Sequence, residues 1–188
     1  MEEKGEAGAG GQRPGASGMR VWALFLCLVA AWGESAILWA EHSKLSWSDF
    51  KGRAPRTVGE PSAVTETGFR MQLVCRAGSL DIDVAAEFYP GSSWVKANRK
   101  SGELLRHEQG HFDITELYAK KMKKAVRDAG IGCEDDARAE AEGKRVVGSV
   151  NREWEKAEKD YDVETKDGTD LVRQRGVSER IAGELGRE

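Results

Sequence analysis

Two of the chain's three histidines, His107 and His111, stand four residues apart, with Glu108 directly after the first. The stretch around them reads LLRHEQGHFDITELYAKKM (104–122). On a helix, positions i and i+4 share a face, so both imidazoles would reach one point from a single rigid element. Two neutral imidazoles at that spacing suit a zinc ion (Zn2+). The glutamate between them falls beside the metal, where a general base for hydrolysis belongs. His107 and His111 are the candidate metal ligands and Glu108 the candidate catalytic residue. Gly110, also between the histidines, costs a helix about 1 kcal/mol relative to alanine; its small size would let another backbone approach closely.

Such ligands need a helix with an inward face. At about 100° per residue from His107, one third of the circumference holds Leu104, His111, Thr115, Tyr118, Ala119, Met122, Ala125, Val126 and Ala129, with Glu108 in the same sector. Gln109, Asp113, Glu116, Lys120, Lys123, Lys124 and Arg127 fall on the other side, the expected solvated face. The pattern predicts a helix over 100–129, a stop at Ala129-Gly130-Ile131-Gly132, and a second helix over 135–166. That second helix carries an apolar stripe of Val147, Val150, Trp154, Ala157 and Tyr161, and a shorter third helix is expected over 170–185. Before the helices, 69–76 and 79–89 flank Ala77-Gly78, and Leu80, Ile82, Val84 and Ala86 alternate with Asp81, Asp83, Ala85 and Glu87. Alternation with a short glycine-containing link predicts a hairpin. Residues 45–68 are turn-rich, with Pro55 and Pro61. The expected fold is α+β: a small antiparallel hairpin packed on two long helices plus a short C-terminal helix. Trp47, Trp94 and Trp154 are read as core anchors.

A catalytic zinc site takes a third protein ligand and keeps one position open. Asp113 and Glu116 are expected to point roughly 140° or more away from the histidine pair. On the residues alone the third ligand stays open between Glu164, on the last turn of the second helix, Asp167, beside the Gly168 stop, and His42, near the start of the folded part.

Composition limits the wider role. The chain holds 29 Lys and Arg against 32 Asp and Glu, a net charge of −3, with 39% hydrophobic and 32% charged residues. That balance fits a globular domain and argues against a nucleic-acid partner. Residues 1–18 are rich in glycine and charge and are expected to lie outside the fold. In 19–36, Arg20 precedes an apolar run from Val21 to Trp32; a spanning helix needs roughly 20 such residues, so the segment reads as a secretory signal starting at Met19, or as an uncleaved anchor. A single domain, 43–185, would then be exported to the periplasm, cell surface or medium, touching the membrane only through that segment. Cys27 leaves with a signal, and Cys75 and Cys133 are expected to pair in an oxidising compartment. Oligomeric state is not encoded in any of these features.

Four stretches carry a resemblance: LSWSDFKGRAP (45–55), SSWVK (92–96), LLRHEQGHFDITELYAKK (104–121) and YDVETKDGT (161–169). Together they resemble the bacterial "domain of unknown function 922" family, described as secreted zinc-dependent proteases, over about residues 43–182. The resemblance implies a zincin-like metallopeptidase acting on a peptide or protein substrate, with His107 and His111 as ligands and Glu108 as acid/base. The family's last landmark reads Tyr-Asp-x-Glu-Thr-x-His-Gly, with the histidine as natural third ligand; here Asp167 occupies that position. The implied metal set is thus His107, His111 and Asp167, the aspartate binding through oxygen. Glu108 would take a proton from water and pass it to the leaving amine. The strand at 79–89 would receive an extended substrate by edge pairing. The alternative, raised by Asp167, is an exported binding or scaffold protein that keeps the helix and has lost turnover.

Overall fold

The computed structural model describes residues 21–22, 35–57 and 61–186. The extension 1–18, and the leader 19–36 apart from residues 21–22 and 35–36, lie outside the described residues. Among the described residues there are six strands: β1 (Val21–Trp22), β2 (Ile37–Leu38), β3 (Ala63–Val64), β4 (Thr67–Arg76), β5 (Ser79–Phe88) and β6 (Trp94–Val95). Three α-helices follow: α1 (Gly102–Asp128), α2 (Asp136–Thr165) and α3 (Leu171–Leu185). The fold is α+β, with the predicted hairpin and all three predicted helices in place.

The hairpin β4–β5 runs in register from Thr67 opposite Phe88 to Arg76 opposite Ser79. Ala77 and Gly78 both have positive φ, 50° and 83°, as a two-residue turn matching the strand twist requires. In the four-stranded sheet the order is β1-β4-β5-β2, and β3 and β6 form a separate pair. Each helix starts at a side-chain cap: Ser101 accepts from Leu104 N, Asp135 from Arg138 N and Asp170 from Arg173 N, satisfying N–H groups the first turn leaves open. No described helix is long and apolar enough to cross a membrane.

The helix α1 occupies the middle of the molecule. Leu73, Leu80, Ile82 and Val84 of the hairpin meet Ala119, Met122 and Val126 of α1 and Ala139, Val147 and Val150 of α2 in the largest apolar cluster. Phe112 packs with Phe88, Ala86, Leu45 and Phe50. Ile114 joins Tyr161 of α2 and Val177 and Ile181 of α3. A helix covered on more than one side has no single solvated face, and this corrects the expectation for Gln109 and Asp113. Gln109 accepts from Leu45 N (2.8 Å) and donates to Ser43 O (2.9 Å) and to Asp113 Oδ1 (2.8 Å). Trp39 Nε1 donates to the same Asp113 oxygen at 2.9 Å. Burial raises the Asp113 carboxyl above its ordinary range, and those donors hold it back. Both residues lash the segment before β3 to α1.

The covalent tie is the predicted one. Cys75 and Cys133 form a disulfide with Cα atoms 6.2 Å apart. It joins the turn end of the hairpin to the α1–α2 link, beside main-chain bonds from Leu80 N to Ile131 O and from Cys133 N to Gly78 O.

Candidate metal centre

His107, His111 and Asp162 each offer one ligand atom, and the three atoms lie within 4.8 Å of one another. The Nε2 atoms of His107 and His111 stand 3.3 and 3.1 Å from the same Asp162 Oδ1. The histidine side chains are 5% and 13% exposed and the aspartate 42%, so the group opens to solvent on the Asp162 side. The two ligand helices converge because α1 begins and α2 ends at the same end of the molecule.

Each imidazole is held from behind. His111 Nδ1 bonds Glu158 Oε2; an ionised carboxylate only accepts, so Nδ1 carries the proton and Nε2 faces the group. Trp154 Nε1 donates to Glu158 Oε1 at 2.9 Å, fixing that carboxylate in turn. His107 Nδ1 lies 3.3 Å from Thr165 Oγ1. The Thr165 hydroxyl donates its only hydrogen to Tyr161 O at 2.7 Å. His107 Nδ1 is therefore the donor in that pair, which turns Nε2 toward Asp162. Partners that set the tautomer in this way are the usual outer shell of a metal-bound histidine. Once both Nε2 atoms are deprotonated, two imidazole nitrogens and one carboxylate oxygen make a donor set that fits zinc.

Packing locks the rings. Tyr161 stacks on His107 at 4.9 Å with planes 11° apart, meets His111 edge-on at 5.0 Å, and donates its hydroxyl to His107 O at 3.1 Å. It fills the space that Gly110 leaves empty: the close approach expected at this glycine comes from a side chain, not a backbone. Gly168, at φ 78°, passes over the other side of His107, and a Cβ there would fall 2.7 Å from His107 Cβ. Gln174 of α3 donates to Glu103 O at 3.0 Å and anchors the first turn of α1.

Charge follows this geometry. Burial disfavours the charged form of His111, but its bonds to Asp162 and Glu158 prevail and carry its pKa from 6.5 up to about 10. Burial opposes ionisation of Asp162 too, yet the hydrogen bonds from His107 and His111 hold its carboxyl well below the usual range. Glu108 is buried, with 3% exposure, and receives a 2.6 Å bond from Thr65 Oγ1. Burial raises its pKa, while the Thr65 bond and the two histidines act in the opposite direction.

His107 and His111 meet in one group, and Glu108 is buried next to His107 in the chain with its carboxylate bound by Thr65. The carboxylate that joins the two histidines is Asp162, which the sequence reasoning missed. Asp167 is exposed, in the turn after α2 at φ 51°, and stands outside the group. Glu164 is turned to Arg180 at 2.9 Å, and the exposed His42 faces Asp49 at 3.6 Å. A signal for Asp162 did exist. Glu158, Asp162 and Thr165 follow Trp154 and Tyr161 on one helical face, so two acids interrupt an apolar stripe where burial demands a partner.

The family model described as "bacterial protein of unknown function (DUF922)" matches residues 56–168, more than half of the chain, and the chain belongs to that family. No curated protein and no solved structure matches it.

Proposed function

We propose that this member of the DUF922 family is an exported zinc-dependent peptide hydrolase. The observation that carries the reading is the convergence of His107 Nε2, His111 Nε2 and Asp162 Oδ1 on one point, on the same helical sector as the buried Glu108. His107, His111 and Asp162 would hold the metal. When bound there, zinc lowers the pKa of water to about 7 and polarises a carbonyl.

The protein's own groups supply the rest. Glu158 and Thr165 keep both Nε2 atoms turned inward. Glu108, its pKa raised by burial, takes a proton from water and returns it to the leaving amine. Thr65 orients the Glu108 carboxylate and limits how far its pKa climbs. Tyr161, with its hydroxyl bound to His107 O, positions the histidines and takes no part in the proton transfer. Export is supported by the apolar run after Arg20 and by the Cys75–Cys133 bridge, which needs an oxidising compartment.

The test is Glu108→Gln, assayed for zinc content and for digestion of an unfolded protein such as β-casein. The variant should keep one zinc per chain and lose about 100- to 10,000-fold in rate. Undiminished hydrolysis would refute the role of Glu108, and wild-type protein that takes up no zinc would refute the metal reading.

A further inference from the structure

The strand at 79–89, the expected substrate edge, is covered at both ends of its outer side. β5 pairs with β4 along its whole length, and its other side meets β2 at Glu87–Phe88 and Gly132 at Ser79. Trp39 N also bonds Ala86 O on that side. Among the described residues, the longer stretch of edge without a paired strand lies on the far side of β4.

Hydrogen-bond parity identifies which groups face it. Lys96 N bonds Ser62 O, and Tyr89 N bonds Glu66 O. In an antiparallel ladder the main-chain groups of alternate residues turn to alternate sides. Even-numbered residues from Ser62 to Arg76 thus turn their main-chain groups toward β6, β5 or the link between them, where Glu66 N bonds Ser93 Oγ. The N–H and C=O groups of Thr65, Thr67, Phe69 and Met71 point outward. Among the described residues no strand pairs with that edge over Thr67–Gln72, and none of these four residues is buried. The edge does accept a strand: β1 pairs with it antiparallel at its far end, Val21 opposite Val74 and Trp22 opposite Leu73.

The side chains of the same residues lead to the metal group. Phe69 meets Trp154 at 4.8 Å, Thr67 bonds Thr115 at 2.8 Å, and Thr65 bonds Glu108 at 2.6 Å. From Phe69 to Thr65 the strand covers about 13 Å, and α2 covers about 12 Å from Trp154 to Asp162. Edge and helix run alongside each other into the same site.

Resting on the peptidase reading, the geometry points to the outer edge from Thr65 to Met71 as the docking edge for an extended substrate peptide, paired antiparallel as β1 is. Main-chain pairing of this kind orders a flexible segment without demanding a fixed sequence. The preferred substrate is an unfolded segment of about five residues or more, read by its backbone on this edge.

The experiment is amide hydrogen exchange by NMR on the zinc-free full chain, with and without β-casein as the unfolded probe. The amides of Thr65, Thr67, Phe69 and Met71 should slow by about 10-fold or more when casein is present. Those of Gly68, Arg70 and Gln72 are already protected by β5 and should not change. Leu73, opposite Trp22, is the reference for an outward amide already covered. That period-two slowing would support the docking edge even if the zinc-loaded chain proved unable to hydrolyse anything. Unchanged exchange at the four residues would overturn it, including where the zinc-loaded chain cleaves casein and the peptidase reading stands.

Discussion

Tyr161 occupies the place of the side chain that residue 110 lacks: a Cβ on Gly110 would fall 2.9 Å from Tyr161 Cε1 and closer still to the ring's hydroxyl end. A glycine in mid-helix is thus the condition for stacking Tyr161 on His107. Gly110→Ala should improve helix propensity by about 1 kcal/mol and lose about 1–3 kcal/mol to overpacking. The net expectation is a lower urea midpoint and weaker zinc binding. A raised midpoint would mean that propensity, not packing, governs this position.

Asp162→Asn should weaken zinc binding by more than the roughly 10- to 100-fold that outer partners of a metal ligand carry. Glu158→Ala, which removes the support behind His111, should fall within that range, and Asp167→Ala should leave affinity unchanged. Competition titration against a zinc-binding dye separates the three. A large effect at Asp167 with none at Asp162 would return the third ligand to the turn.

Without metal the site is tied to pH through one shared interaction. His111 has a folded pKa raised from 6.5 to about 10, so its contribution to stability is complete below about pH 6.5 and is lost as pH climbs toward 10. Asp162 is depressed, so its contribution is present above about pH 4 and is lost as pH falls below that. Zinc-free protein should be most stable between those limits. Zinc uptake at pH 7 should release about one proton from His111. Calorimetry in buffers of different ionisation enthalpy measures it; zero release would contradict a protonated His111.

Thr65→Val removes the hydroxyl that donates to Glu108. Since that bond lowers the Glu108 pKa, the acid limb of the kcat/KM profile should move to higher pH. A profile that stays in place would detach Thr65 from the titration of the base.

The disulfide closes a separation of 58 residues, which chain entropy alone values at about 4 kcal/mol. Replacing both Cys75 and Cys133 by serine should lower unfolding free energy by up to about that amount. Zinc stoichiometry should be preserved, because the bridge sits far from His107 and His111.

The hairpin and the helix spans were legible because alternation, the Ala77-Gly78 turn and the stop after Ala129 are local signals. Site geometry depended on what packs against α1. Gln109 and Asp113 look solvated on an isolated wheel and become half-buried only because residues 39–45 fold across them. The short strands β2, β3 and β6 carry two residues each, too few for any periodicity. Asp162 is hard to single out in the sequence because acids crowd the end of α2, and only the packing of α1 against the Trp154–Tyr161 face distinguishes it from Glu164 and Asp167.

The α1–α2 pair is fastened at both of its ends, about 30 Å apart along α1, by closures of different kinds. At the link, Cys133 is bound to Cys75 once and for good in an oxidising compartment. At the open end, His107 and His111 of one helix face Asp162 of the other, with two of the three groups drawn together by a proton that a cation would replace. The first clasp answers to the redox poise of its surroundings, and the second to their acidity and metal content. Removing metal from such a protein would leave the His111–Asp162 contact as the closure at one mouth of the helical pair, while the disulfide kept the other shut.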